Sequence, residues 1–230
     1  MIDQEFLAWL ERREALRDTW TLEGLLDQSG GASGCAVVVV DLVKGFCLQG
    51  PLANDSVASL VEPTVEFLKR ARSHGITRYF FPCDAHQSDS QEFAAFPPHC
   101  IAGSRESELM EELTSLDFSD LFQRIDKRSV SSLIGTELAE TIASDETRTV
   151  ICMGDCTDLC LYHLAVGLRF FANHNHLKWD IVVPQNLVAT YDVSVAVAEE
   201  LKILPHPGEM MNALFLYHLE LNGVRVVRSL

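Results

Sequence analysis

Short apolar runs alternate along the chain with longer stretches whose apolar residues have helical spacing. The first run, CAVVVVD at 35–41, is continuously β-branched, as is typical of a strand buried on both faces of a sheet. Further runs predict strands at 77–84, 149–154, 180–184 and 224–227. Helical spacing predicts helices at 55–74, 106–116, 135–144, from the end of the 149–154 strand to about 173, at 192–203 and at 208–221. This alternation predicts an α/β fold of three layers, α/β/α, around a mostly parallel, Rossmann-like central sheet.

Residues 1–34 precede the alternating region, and we interpret them as an N-terminal helical leader. Apolar spacing predicts a helix at 3–17 and a second short one at 22–28. The segment SGGASG at 29–34 then breaks the pattern, because Gly-Gly and Ser-Gly pairs mark loops. We expect this leader to pack against the body or a partner subunit, and residues 35–230 to form one domain.

Composition and charge restrict the partners and the compartment. Among 230 residues there are 33 acidic and 18 basic side chains, a formal charge of −15. This balance argues against nucleic acid and anionic membrane surfaces, since both need clustered Lys and Arg. No apolar stretch reaches the roughly 18 residues of a membrane span, and the charged N-terminus has no secretion signal. Seven cysteines, an odd number, predict reduced thiols in a cytoplasmic protein. The acidic charge leaves a homo-oligomer open.

Cys160 follows the TVICMG strand, at the edge of a parallel sheet where ligands bind. We expect Thr157 or Asp158 to cap the next helix, which would place Cys160 in its first turn. The helix dipole and unpaired amides there favour a thiolate nucleophile and an oxyanion hole. Two other interpretations are open: a buried structural thiol, and a metal cluster with Cys152 and Cys156, which share its four-residue spacing.

Asp41 ends the first strand, where a buried carboxylate is costly unless it is paired. It is either the cap of a loop or a general base whose pKa depends on a neighbouring cation and thiol. Lys127, in the segment RIDKRSV, is a candidate for that cation. Taken alone, Lys127 is interpreted as a solvated surface lysine.

A second group of polar residues follows the 77–84 strand. Asp84 and His86 are residues i and i+2 at a strand end, so they point the same way, and Glu92 and His99 follow in an irregular loop. Two imidazoles and two carboxylates suit Zn²⁺, Mn²⁺ or Fe²⁺.

Taken together, the motifs resemble those of the isochorismatase-like cysteine hydrolases, and within that superfamily the nicotinamidases. The similar segments are VVVVDLVKGFC (37–47), CDAHQSDSQEFAAFPPHCIAGS (83–104), DKRSVSSLIG (126–135), GDCTDLCLYHLA (154–165) and HPGEMMNALFLYHLELNGVRVV (206–227). They are similar, in that order, to the family's catalytic-aspartate strand, metal loop, catalytic-lysine segment, nucleophile motif and last helix and strand. The last of these is nearest to plant-type members. The resemblance covers about residues 35–228 and implies the isochorismatase-like hydrolase fold.

The resemblance also implies an activity. Asp41, Lys127 and Cys160 would form a catalytic triad that converts nicotinamide, a small amide, to nicotinate and ammonia through a thioester on the cysteine. Such an enzyme would belong to pyridine nucleotide salvage for NAD biosynthesis. True isochorismatases lack the nucleophilic cysteine, so Cys160 argues against that branch.

For the metal, the resemblance implies a divalent ion, zinc before manganese or iron. Its ligands would be Asp84, His86 and His99, with Glu92 a ligand only in some members.

Around the substrate, the resemblance implies three more features. A cis peptide bond would precede Cys156, and the amides of Cys156 and Cys160 would form the oxyanion hole. Phe46 and Phe96 would hold the pyridine ring between them. Lys44 departs from the usual pattern and is expected to alter the mouth of the pocket.

Two alternatives compete with this prediction. The first is a related amidohydrolase of the same superfamily that acts on a ureido, carbamoyl or maleamic acid substrate; the Asp-x-His pair and His99 argue against it. The second is a non-catalytic α/β binding protein, which would have no need of a reactive Cys160. We interpret His206 and His218 as structural.

Overall fold

The structure of the chain is a computed structural model that describes residues 3–143 and 146–230. The first two residues of the predicted leader and the last residue of the predicted helix at 135–144 lie outside this range. The strands are β1 Cys35–Val40, β2 Tyr79–Asp84, β3 Phe122–Lys127, β4 Thr149–Asp155, β5 Asp180–Pro184, β6 Val188–Ala189 and β7 Arg225–Val227. The helices are α1 Gln4–Ala15, α2 Leu22–Gln28, α3 Lys44–Cys47, α4 Asp55–Ala58, α5 Val61–Ser73, α6 Glu111–Thr114, α7 Leu138–Ala143, α8 Cys160–His174, α9 Val195–Leu201 and α10 Gly208–Leu221.

A parallel sheet in the order β3-β2-β1-β4-β5-β7 forms the middle layer, and β6 pairs with β4. Successive side chains of a strand point to opposite faces, so the sheet has an apolar core on each side. Val37 and Val39 belong to one core, and Val38 and Val40 to the other. Every residue of β1 and β4 is buried, which explains their continuous apolar sequence. The predicted three-layer α/β fold is confirmed.

Several helices and strands differ from those predicted, because apolar periodicity was an insufficient signal for them. The sequence FQRIDK forms β3, which was not predicted, because an edge strand leaves polar side chains exposed. The two-residue β6 was missed as well. The predicted helix at 55–74 is two helices, α4 and α5, and the one at 106–116 contains only the short α6 after a 3₁₀ turn at Arg105–Ser107.

The leader packs on the body of the same chain, which was one of the two expected outcomes. The α2 side chains of Leu22, Leu25 and Leu26 are part of the same core as Val37 and Val39. In α1, the rings of Phe6 and Trp9 contact that of Tyr217 on α10. A boundary at residue 34 stays a prediction. Among the described residues, no helix is both long and apolar enough to cross a membrane.

The contribution of α2 to stability can be measured at Leu25, which is 1% exposed. We expect Leu25→Ala to lower the free energy of unfolding by about 3–5 kcal/mol, because it removes buried methyl groups and leaves a cavity. Urea unfolding followed by tryptophan fluorescence gives the value. Leu16→Ala is the matched control, since Leu16 is 75% exposed and its loss should change stability by less than ~0.5 kcal/mol. Equal losses in the two variants would contradict the packing of α2.

Candidate active site

Four adjacent strands bring the predicted catalytic residues to one edge of the sheet. Parallel strands end at the same edge, and β3, β2, β1 and β4 are neighbours in that order. Lys127 is the last residue of β3 and Asp84 the last residue of β2, and the two are paired in register. Asp41 directly follows β1. Gly154 permits the close approach of β4 and β1, because a Cβ there would lie 2.1 Å from the carbonyl oxygen of Val40. The fold therefore gathers these polar groups at its carboxyl edge.

Lys127 is the centre of the cluster. Its side chain is fully buried, and its Nζ lies 2.8 Å from Asp41 Oδ2 and 2.5 Å from Asp84 Oδ1. The same ammonium donates to Cys160 Sγ at 3.4 Å. Asp41 Oδ1 in turn accepts a hydrogen bond from the Asp84 amide at 2.8 Å. The carboxylate, the ammonium and the thiol predicted as a triad are thus in direct contact.

The two carboxylates have opposite electrostatic environments. Burial and the negative charge of Asp84 raise the pKa of Asp41 to about 6, although Lys127 opposes both. Burial also acts to raise the pKa of Asp84, but the charge of Lys127 and the nearby imidazoles of His86 and His99 outweigh it, so the pKa is lowered. Asp84 therefore stays ionised, while Asp41 is a carboxylate that can take a proton near neutral pH.

Cys160 begins α8 and is a thiol at rest. Burial raises its pKa well above the ordinary value, and the charge of Lys127 lowers it only in part. The expectation of a thiolate set by the helix dipole is therefore wrong, because desolvation is the larger effect. The Cys160 sulfur lies within 4.8 Å of an Asp41 carboxylate oxygen, which can accept its proton.

The predicted cap of α8 is also wrong. The residue before the helix is Leu159, which has no capping side chain. Thr157 instead donates to Asn212 Oδ1 at 2.7 Å. Asp158 accepts from Thr190 and contacts His206. Both side chains therefore bind distant parts of the chain.

Asp84, His86 and His99 place one ligand atom each within 4.8 Å of one another. Both ring nitrogens of His86 are buried and have no hydrogen-bond partner. His99 Nδ1 lies 2.8 Å from the carbonyl oxygen of Pro97, which fixes its proton there and leaves Nε2 facing Asp84 Oδ2 at 3.6 Å. Unpartnered imidazole nitrogens beside a carboxylate suit a divalent metal ion.

Glu92 lies at the margin of this group. Its Oε1 is 3.7 Å from His86 Nε2, and its Oε2 accepts a hydrogen bond from the amide of Val130. Glu92 therefore connects the metal loop to the segment after β3. The other proposed cluster is not supported: among the described residues, the close groups of ligand atoms do not include Cys152, Cys156 and Cys160 together.

The remaining predicted residues surround the cluster. The peptide bond between Asp155 and Cys156 is cis, as the resemblance implies. The rings of Phe46 and Phe96 lie 5.6 Å and 6.3 Å from the ring of His99. Both aromatic rings therefore border the candidate metal site.

Lys44 is buried and bound within the protein. Its Nζ lies 2.8 Å from Glu108 Oε2 and 3.0 Å from Glu111 Oε1. These two ion pairs therefore connect α3 to the segment at the start of α6.

Two buried polar features beside the site escaped the sequence analysis. One is the contact of Asp158 with His206. The sequence analysis interpreted His206 only as a structural residue. The other is the buried carboxyl of Asp155. Its burial and the negative charge of Asp41 raise the pKa of this carboxyl well above the usual range. An acidic residue at the end of an apolar strand was the available signal for Asp155.

Comparison with known proteins now identifies the family. The model of the isochorismatase domain matches residues 35–198. The chain belongs to the isochorismatase family. Nicotinamidase 1 of Arabidopsis thaliana is 27% identical in an alignment 216 residues long that covers 86% of this chain and 87% of that protein. The family and this relative support the predicted enzyme class, an amidohydrolase.

Solved structures agree on the fold. The pyrazinamidase of Pyrococcus horikoshii, determined in complex with zinc, has a TM-score of 0.66 at 16% identity, over 85% of this chain and 99% of that one. The N-carbamoylsarcosine amidase of Thermoplasma acidophilum has a TM-score of 0.62 at 22% identity, over 84% and 95%. Both likenesses show the isochorismatase-like fold, which enzymes with different substrates share.

Proposed function

We propose that the protein hydrolyses nicotinamide to nicotinate and ammonia through a thioester on Cys160. The observation that carries the proposal is the buried contact of one ammonium, Lys127, with Asp41, Asp84 and Cys160. This contact joins a base, a nucleophile and a candidate metal ligand. The identity to a plant nicotinamidase supports the choice of amide.

Acylation begins when Asp41 takes the proton from Cys160, and the sulfur attacks the carboxamide carbon. The C–S bond forms as the carbonyl electron pair moves to oxygen. Asp41 then gives its proton to the amino group, the C–N bond breaks and ammonia leaves. The pKa of Asp41, raised to about 6, suits both transfers near neutral pH.

Deacylation repeats these transfers with water. Asp41 takes a proton from a water molecule, whose oxygen attacks the thioester carbon. The C–S bond breaks, and the proton returns from Asp41 to the Cys160 sulfur. Lys127 stays charged throughout, since Asp41, Asp84 and Cys160 raise its pKa well above the ordinary value despite its burial.

The amides of Cys156 and Cys160 are proposed to receive the developing oxyanion. They lie at either end of the turn between β4 and α8. Loss of one such donor typically costs ~10²–10³ in rate.

Asp84, His86 and His99 are proposed to hold the metal, with Glu92 beside them. Borderline nitrogen and oxygen ligands favour Zn²⁺, and the zinc-bound structure of the Pyrococcus enzyme supports this choice. When bound, the ion would anchor and polarise the pyridine nitrogen of the substrate.

Phe46 and Phe96 are proposed to flank the pyridine ring of the substrate. Their nearness to His99 would put that ring between the metal site and the triad. All seven cysteines are free, which supports a reducing, cytoplasmic location.

Ammonia release by purified protein tests the function. We expect nicotinamide to be the preferred amide in a panel that also holds N-carbamoyl and maleamic acid substrates. Preference for one of the latter would contradict the substrate and leave the cysteine chemistry in place. No release from any amide would contradict the function itself.

The metal assignment predicts the effect of losing His86. We expect His86→Ala to lose the bound zinc and to lower kcat/KM by more than ~100-fold, because a ligand matters at least as much as the groups that orient it. Metal content by mass spectrometry and activity are measured on the same sample. His163→Ala, at an exposed position on α8, is the control. A variant that keeps wild-type metal content would contradict the assignment.

A further inference from the structure

A buried polar contact outside the triad holds the turn between β4 and the nucleophile helix. Asp158 lies in the middle of this turn and is buried. One carboxylate oxygen accepts a hydrogen bond from Thr190 Oγ1 at 2.5 Å, and the other lies 2.7 Å from His206 Nε2. Because Thr190 precedes α9 and His206 precedes α10, a distant part of the chain fastens the turn.

His206 is itself held on several sides. Its Nδ1 lies 2.8 Å from the carbonyl oxygen of Tyr191, whose ring stacks on the imidazole with 3.8 Å between centroids. Its backbone exchanges two hydrogen bonds of 2.8 Å with Val193. These contacts fix the direction in which Nε2 meets Asp158.

The partners of His206 determine where its protons lie. The carbonyl oxygen of Tyr191 can only accept, so Nδ1 carries a proton. Nε2 faces the Asp158 carboxylate and, with that group ionised, carries the second proton. The contact is therefore a charge-assisted hydrogen bond, which is stronger than a neutral one.

We propose that Asp158 and His206 are positioning residues for catalysis, an inference that rests on the proposed function. The turn they hold carries the amides of Cys156 and Cys160 at its ends. The turn is also joined to the 189–193 segment by the Asp158–Thr190 hydrogen bond and by a backbone bond from the amide of Thr157 to the carbonyl of Ala189 at 3.0 Å. The Asp158–His206 contact affects catalysis by fixing the positions of these two amides, and neither side chain touches a reacting atom.

Two substitutions separate the two hydrogen bonds of His206. In His206→Gln the amide nitrogen takes the place of Nε2, so the bond to Asp158 is kept and the bond to Tyr191 is lost. In His206→Asn the amide nitrogen takes the place of Nδ1, so the bond to Asp158 is lost. A purely structural imidazole would make the two variants differ in stability only.

We expect His206→Asn to lower kcat by ~10–100-fold, since a displacement of about 1 Å at reacting groups can cost that much. KM and metal content should stay at the wild-type values, because Phe46, Phe96 and the metal ligands are not on this turn. His206→Gln should recover most of the lost kcat. His174→Asn, at the exposed end of α8, is the control.

Hydrogen exchange of peptides that cover 156–161 gives a readout that needs no substrate. The amides of the turn should exchange faster in His206→Asn, while those of β1 and β5 keep the wild-type rate, and His206→Gln should resemble the wild type. Equal kcat and exchange in the two variants, or no change in His206→Asn, would overturn the proposal. If the wild type has no amidase activity, the proposed function is contradicted. The hydrogen-exchange rates of the turn would still test whether Asp158 and His206 position it.

Discussion

Cys160→Ala should abolish hydrolysis of nicotinamide, with a loss in kcat of at least ~10⁴-fold, as expected when a nucleophile acting within a catalytic group is removed. The substitution deletes only the sulfur that Lys127 and Asp41 contact. The fold and the metal site use other atoms and should be unaffected. Steady-state ammonia release, circular dichroism and metal content measure the three effects.

Cys35→Ala is the matched control for Cys160→Ala. Cys35 is a buried thiol at the start of β1, at the opposite end of that strand from Asp41. Burial raises its pKa to about 12, so it is an inert thiol. We expect wild-type kcat from this variant. Activity retained by Cys160→Ala, or lost equally in both variants, would contradict the assignment of the nucleophile.

Lys127→Met should lose both activity and stability. It leaves Asp41 and Asp84 buried without their shared cation, which we expect to cost about 3–5 kcal/mol of unfolding free energy at neutral pH. Without the ammonium, the pKa of Asp41 rises further, so the carboxyl is protonated and cannot take the Cys160 proton. The loss of a general base lowers kcat by ~10²–10⁴-fold.

The stability loss in Lys127→Met should depend on pH in a definite direction. The pKa of Asp41 is already above its usual value in the folded wild type, and loss of Lys127 raises it further. The folded variant therefore binds more protons than the unfolded chain between the two pKa values, and stability falls as pH rises. Urea unfolding at pH 5 and pH 8 should show the smaller loss at pH 5.

Lys44→Met is the matched control for Lys127→Met. Lys44 is also a buried lysine with two carboxylate partners, but Glu108 and Glu111 are 56% and 74% exposed. These partners stay hydrated when the lysine is removed, so the stability loss should be much smaller and nearly independent of pH. Equal losses in the two variants would contradict the special role of Lys127.

The fold was predictable where burial is uniform along an element. β1 and β4 are buried over their whole length, so an unbroken apolar run was a sufficient signal. β3 was missed because only Lys127 among its six residues is buried. An edge strand has one paired side and solvated side chains, and its sequence pattern resembles that of a loop.

The site was predictable to the extent that strand ends determine it. Asp41, Asp84 and Cys160 lie at or after the ends of recognisable strands. Lys127 was a candidate cation from the sequence, and the resemblance gave it a place in the triad. The state of the Cys160 thiol was not predictable, since it depends on desolvation by residues from several elements. The partner of Asp158 was not predictable either, because His206 is distant in sequence and adjacent only in the fold.

Trapping with hydroxylamine tests the thioester most directly. The purified enzyme is incubated with nicotinamide and hydroxylamine, and ammonia, nicotinate and nicotinohydroxamate are measured in the same sample. An acyl group on Cys160 predicts that hydroxamate forms at the expense of nicotinate while ammonia is still released. Ammonia and nicotinate in equal amounts, with no hydroxamate at any hydroxylamine concentration, would contradict the account.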